Sequence, residues 1–66
     1  MRNMLRVERA RHDMTQADLA GKISVSRQTI NAIESGKYVP STVLALKLAK
    51  LFDLPVEQLF LLEEGD

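Results

Sequence analysis

Helix caps recur at short intervals along this sequence, and they divide it into short helices. Asn3, Thr15, Ser26 and Ser41 can each accept a hydrogen bond from the free N–H groups that open a helix. A first helix then runs from Asn3 to about His12-Asp13. Met4 and Leu5 face inward with Val7 as a third candidate, and Arg6, Glu8 and Arg11 face outward. A second runs from Gln16 to about Gly21, with Asp18 placed to reach back to Thr15 as a capping-box carboxylate. Gly21-Lys22-Ile23-Ser24-Val25 reads as a tight turn holding two buried aliphatics. A third helix spans Arg27 to Ser35, with Ile30 and Ile33 inward and Gly36 in the left-handed position that ends a helix. Pro40 biases Val39 away from helix, so residues 37–40 form a loop. A fourth helix, Thr42 to Phe52, carries a broad apolar stripe of Leu44, Ala45, Leu48, Ala49, Leu51 and Phe52. Pro55 suits the first turn of a fifth, Val56 to about Phe60. Residues 61–66 fit a frayed end or a short strand alike. The expected fold class is all-α: five short helices, with room for a short terminal strand pair.

Sixty-six residues make one domain. A chain of that size buries only about 60% of its unfolded surface, so a second copy often helps. With no Cys, neither a disulfide nor a thiolate metal site can staple the fold. His12 stands alone and cannot build a zinc site without carboxylates; it reads as an exposed residue near a helix C-terminus. Met4 and Met14 read as core filler. No Ser/His/Asp or Cys/His set and no glycine-rich phosphate loop is present, and Glu63-Glu64 reads as a solvated end. We therefore expect no catalytic residues, no metal and no cofactor. No run of about 18 apolar residues exists to span a membrane. The N-terminus lacks a signal peptide's pattern, so the expectation is a soluble, cytoplasmic protein.

Charge adds a constraint. Nine Lys and Arg balance nine Asp and Glu. Neutrality argues against a protein that grips nucleic acid by bulk charge. The charges are segregated, however. Residues 1–38 hold seven basic and four acidic residues, a net +3; residues 39–66 hold two basic and five acidic, a net −3. A long polyanion responds to the local field rather than to the sum.

Residues 15–37 concentrate the functional signal. Two short helices meet at a tight turn, with small Ala20 where they would cross. With Ile30 and Ile33 in the core, Arg27, Gln28 and Asn31 look outward, and Thr29 and Ala32 are candidates for the same face. Arg can bond guanine and Gln can bond adenine through two hydrogen bonds each, so this face suits a DNA major groove. Free N–H groups at the helix N-terminus suit phosphate.

The run TQADLAGKISVSRQTINAIESGKYVPS, from Thr15-Gln16 through Ile33-Glu34 to Gly36, closely resembles the core of the Cro/phage-repressor-like (Xre) helix-turn-helix family. The resemblance covers residues 4–60, leaving 61–66 as a tail. It implies a compact five-helix bundle whose third helix reads the major groove, from a prokaryotic or phage source. It also implies individual roles. Gln16 would bond a phosphate. Ser26, Arg27 and Gln28 would approach base edges, and Thr29 and Asn31 would touch phosphate, sugar or a base. Lys37 and Tyr38 would touch the backbone through side chain or N–H. Ala32, at a base-reading position in some relatives, could at most meet a thymine methyl. Arg9 and Glu34 match the family's structural ion pair.

Leu59, Phe60, Leu61 and Leu62 form an apolar row, and Val43 and Leu46 lie off the main stripe of the fourth helix. That is much apolar surface for a small chain to leave wet. We expect a two-fold homodimer through the fifth helix and its flanks, with Phe60 to Glu63 pairing as a strand with residues 1–3. Two third helices about 34 Å apart would then read a palindrome in double-stranded DNA. The function expected is a sequence-specific transcriptional regulator, acting as a repressor and lacking any evident small-molecule effector. The alternatives are an antitoxin or control protein of a two-gene module, or a protein-interaction module on the same fold.

Overall fold

Every helix in this chain is shorter than the roughly 12–15 residues that a helix needs to persist alone in water. Tertiary packing must therefore hold all of them. The computed structural model describes residues 1–66. In chain order it contains β1 (Arg2–Asn3), α1 (Leu5–Arg11), α2 (Gln16–Lys22), α3 (Arg27–Glu34), α4 (Thr42–Leu51), α5 (Val56–Leu59) and β2 (Phe60–Leu61). The fold is a bundle of five helices, closed by a two-stranded antiparallel ribbon that joins the termini.

Three of the four expected caps are made as the sequence implies. The Thr15 hydroxyl accepts from the Asp18 N–H at 3.0 Å, and the Thr15 N–H donates to the Asp18 carboxylate at 2.9 Å. The Thr15 N–H bond first, and then the Thr15 hydroxyl beside the carboxylate, hold the Asp18 carboxyl below its ordinary range. Ser26 accepts from Thr29 N–H at 3.1 Å, and Ser41 from Leu44 N–H at 3.2 Å. Asn3 departs from the expectation. Met4, which has no capping side chain, occupies the N-cap position of α1. Strand pairing explains the delay: Asn3 pairs with Phe60, and the next N–H, that of Met4, donates to the Leu59 carbonyl at 2.9 Å. Asn3 still serves the helix, since its Oδ1 accepts from Leu5 N–H at 3.2 Å.

Four helices end on a residue with left-handed backbone: Asp13, Ser24, Gly36 and Asp53. In each case the following N–H reaches back to a carbonyl of the last helical turn. Met14 donates to Arg9, Val25 to Ala20, Lys37 to Ala32 and Leu54 to Ala49, all at 2.9–3.0 Å. Only one of the four is glycine. Gly21 lies inside α2 rather than in a turn, so the chain reverses at Ile23-Ser24-Val25.

The core comprises Leu5, Leu19, Ala20, Ile23, Ile30, Ile33, Leu44, Leu48, Ala49, Phe52, Leu59 and Phe60. Met4, Met14 and Leu51 pack against it from partly buried positions. Small Ala20 is buried in the core, and α2 packs against α3. Two expected orientations in α1 are reversed: Val7 is exposed and Glu8 is buried. Leu5 is fully buried and sets the inner face. Positions three and four residues on share that face, whereas position i+2 lies opposite. Glu8 keeps its charge partnered there, accepting from Arg11 at 3.1 Å. His12 is exposed at the end of α1, its ring centroid 5.2 Å from that of Phe52.

The tail resolves as a strand within the same chain, with Arg2 opposite Leu61 and Asn3 opposite Phe60. This changes the expected dimer row. Leu59 and Phe60 are core residues of the protomer, Leu61 is half-buried, and only Leu62 stands in water, at 83% exposure. The ribbon folds Phe60 back onto the bundle and so absorbs half of that row. No helix is long and apolar enough to cross a membrane.

Candidate nucleic-acid interface

The eight residues of α3 divide by periodicity into two faces. Ile30 and Ile33 anchor one in the core. At about 100° per residue, Gln28, Asn31 and Ala32 point away from that anchor, with Arg27 on the flank. Arg27, Gln28 and Asn31 are exposed. None of the three side chains makes a hydrogen bond or ion pair inside the chain, so all their side-chain donors are free. The opening turn of α3 holds no acidic residue. The face therefore presents planar two-point donors on a rigid helix without a nearby repelling carboxylate.

The remaining expected contacts are more constrained. Ser26 is occupied as the cap of α3, and its hydroxyl also lies 3.0 Å from that of Thr29. These two hydroxyls hold one another as well as facing outward. The N–H groups of Lys37 and Tyr38 both donate to the Ala32 carbonyl, at 2.9 and 3.2 Å. Closing α3 uses those N–H groups, which leaves only the side chains of Lys37 and Tyr38, both exposed, for any partner.

Behind the face lies a bonded cluster. Arg9 Nε donates to Glu34 Oε2 at 2.7 Å and Arg9 Nη2 donates to Glu34 Oε1 at 3.1 Å, a two-point pair. Arg9 Nη1 also donates to the Met14 carbonyl at 2.9 Å, tying α1 to the start of the helix-turn-helix. The Glu34 side chain is only 1% exposed. Burial alone would push its carboxyl up. Hydrogen bonds from Arg9 and Gln16 and the charges of Arg9 and Arg6 outweigh that and hold it below the ordinary value of 4.5. The same pair raises the Arg9 guanidinium above its already high value. Gln16, which the resemblance assigns to a phosphate, donates to Glu34 Oε1 at 3.2 Å. Asn3 Nδ2 donates to the Ile33 carbonyl at 2.9 Å, so β1 also grips this end of α3. Periodicity and spacing gave no signal for these two links, because both join residues far apart in sequence.

Paired short helices, a tight left-handed turn and a third helix with a free polar face define a class, and comparison with known proteins agrees. The family model described as helix-turn-helix matches residues 5–59, and the chain belongs to that family. It is similar along its length to proteins named as uncharacterized HTH-type transcriptional regulators. One from Methanocaldococcus jannaschii is 53% identical over 66 residues, covering all of both chains. YgzD of Bacillus subtilis is 47% identical over 64 residues, 97% of each chain. A third, from Archaeoglobus fulgidus, is 45% identical over 66 residues, all of this chain and 94% of its own.

Proposed function

We propose that this protein is a sequence-specific DNA-binding transcriptional regulator that acts as a repressor. The observation that carries the reading is the outer face of α3. Its Arg27, Gln28 and Asn31 are exposed and unbonded on a helix whose other face is locked in the core. Free Arg and Gln side chains at the start of such a helix match the edges of guanine and adenine in the major groove. Ser26, Thr29, Lys37 and Tyr38 border the same face and supply phosphate contacts through hydroxyls, an ammonium and a phenol. The names of its relatives support the regulatory half of the reading. Occupancy of an operator by such a domain is enough to block transcription, which is the repressor role proposed.

The protein acts as a homodimer on a palindrome. A single α3 offers few contacts, whereas two spaced by about one DNA turn (~34 Å) read both half-sites. Val39, Val43 and Leu46 support self-association. They are more than half exposed; Val43 and Leu46 lie three residues apart on α4, and Val39 is in the loop before it. Leu62 and the half-buried Leu61 extend the apolar surface at the other end. Binding to labelled duplex DNA across a salt series tests the reading. Log affinity should fall steeply and linearly with log salt, as phosphate contacts require. A flat response would contradict it.

A further inference from the structure

Residues 39–66 carry only two basic side chains, Lys47 and Lys50, and both line the same hollow. Lys22, Ile23, Ser24 and Leu51 complete its wall, so a space of about 330 Å³ opens between the α2–α3 turn and the later part of α4. Three ammonium groups rim it and no carboxylate lines it. Ile23 is buried and Leu51 half-buried, which gives the hollow an apolar floor. All three lysines are exposed, and none makes an ion pair within the chain. Lys22 and Lys50 sit in the last turn of their helices, where the helix dipole favours a cation. Lys47 lies before that turn, and the dipole gives no reason for it. No residue of the reading face of α3 lines the hollow, so the DNA-binding reading leaves its charge unused. Along α4, Val43, Leu46, Lys47 and Lys50 recur at i, i+3, i+4 and i+7, one face that passes from apolar to basic.

The complementary surface is on the same chain. Leu62 is 83% exposed, and Glu63 and Glu64 follow it. Glu63 and Asp66 hold the Met1 amine at 3.1 and 3.2 Å, whereas Glu64 is exposed and makes no ion pair. Those bonds keep the segment beside the far end of α3, where Glu63 lines a cleft with Ser35 and Gly36. The hollow lies before the start of α3, so that eight-residue helix, about 12 Å long, stands between the two. Each chain thus holds its acidic segment away from its own hollow and free for another copy.

We propose that the hollow between the α2–α3 turn and α4 receives the Leu62-Glu63-Glu64 segment of a second copy, with Leu62 on Ile23 and Leu51 and Glu64 among the lysines. This deepens the homodimer reading above and rests on it. Under a two-fold axis the contact is made twice, each copy giving its segment and receiving the other's. The apolar part of the α4 face supplies area, and the basic part fixes which end of the partner lies against it.

Sedimentation equilibrium without DNA, across protein concentration and a salt series, tests the contact. The unsubstituted dimer should weaken as salt rises, because its charged pairs are exposed. Lys47→Glu and Glu64→Lys should each weaken it by about tenfold, since each exposed pair is lost twice across the axis. The chain carrying both substitutions restores the pair with its charges reversed and should recover most of the affinity. All four chains should show the same helix content by circular dichroism, as these side chains are exposed. Unchanged self-association in Lys47→Glu, or no recovery in the double variant, would overturn the contact and leave the homodimer standing. Unchanged self-association with weaker DNA binding in Lys47→Glu would assign the lysines to phosphate instead. An unsubstituted chain that stays monomeric at every concentration would overturn the homodimer reading and the contact together.

Discussion

Along the outer face of α3, the side chains of Arg27, Gln28 and Asn31 make no hydrogen bond within the chain. At the C-terminal end of the same helix, Glu34 accepts three. Eight residues thus carry both a reading surface, whose side-chain donors are left for a partner, and one end of a bonded frame. The frame ties α3 to α1 through Arg9, to α2 through Gln16 and to β1 through Asn3. A helix this short has little stability of its own, so the precision of the outer face depends on the bonded end. Substitutions in the two regions should therefore separate stability from binding.

Removing Arg9 should give the largest effect. Arg9→Ala leaves the Glu34 carboxylate buried without its main partner, which typically costs about 3–5 kcal/mol. The melting temperature should fall sharply, to the point of unfolding in so small a domain. Replacing both members by apolar residues, Arg9→Met with Glu34→Leu, should cost less than Arg9→Ala alone; denaturant titration measures both. On the reading side, Arg27→Ala or Gln28→Ala should change stability by less than about 0.5 kcal/mol. Each should lose about 1–3 kcal/mol of discrimination between bases, seen by comparing matched and mismatched duplexes. A large stability loss there would erase the contrast between the regions.

Acid tests the frame from another side. The Glu34 carboxyl titrates lower in the folded chain than in the unfolded one, so the unfolded state takes up its proton first. Its contribution is fully present above the ordinary value of 4.5 and is lost as pH falls from there through the depressed folded value. Stability of Glu34→Gln should be less sensitive to pH across that window; an identical acid limb would remove the carboxylate from the frame. The smallest effects lie in the turns. Ser24 has a left-handed backbone at φ 59° without being glycine, so Ser24→Gly should relieve strain. Gly21, inside α2, would place an added Cβ in open space, so Gly21→Ala should stabilise the helix. Each gain should be about 0.5–1 kcal/mol, read as a rise of a few degrees in the melt.

Local features were legible in the sequence. Thr15, Ser26 and Ser41 announce helix starts because a cap acts within three residues, and Ile30 and Ile33 announce the core face of α3 by spacing alone. Helix ends were harder. Gly36 marks one, but Asp13, Ser24 and Asp53 take the same backbone conformation without the glycine that usually reveals it. Long-range pairing was least visible. Neither the burial of Glu8 nor the absorption of Leu59 and Phe60 into the protomer follows from local pattern, because α1 and the terminal ribbon are set by distant partners. The candidate site shows the same division. The free face of α3 could be read from periodicity, whereas the link from Gln16 to Glu34 required the fold.

The assignment of α3 as the reader is tested most directly by selecting bound sites from a random DNA pool, with the unsubstituted protein, Gln28→Ala and Lys37→Ala in parallel. The unsubstituted chain should enrich a two-fold symmetric site with half-sites about one helical turn apart. Gln28→Ala should relax the sequence at one base position in each half-site, and Lys37→Ala, at a phosphate contact, should return the same site at lower yield. A pool with no enriched sequence, or an identical site from Gln28→Ala, would contradict the assignment of α3 as the reading helix.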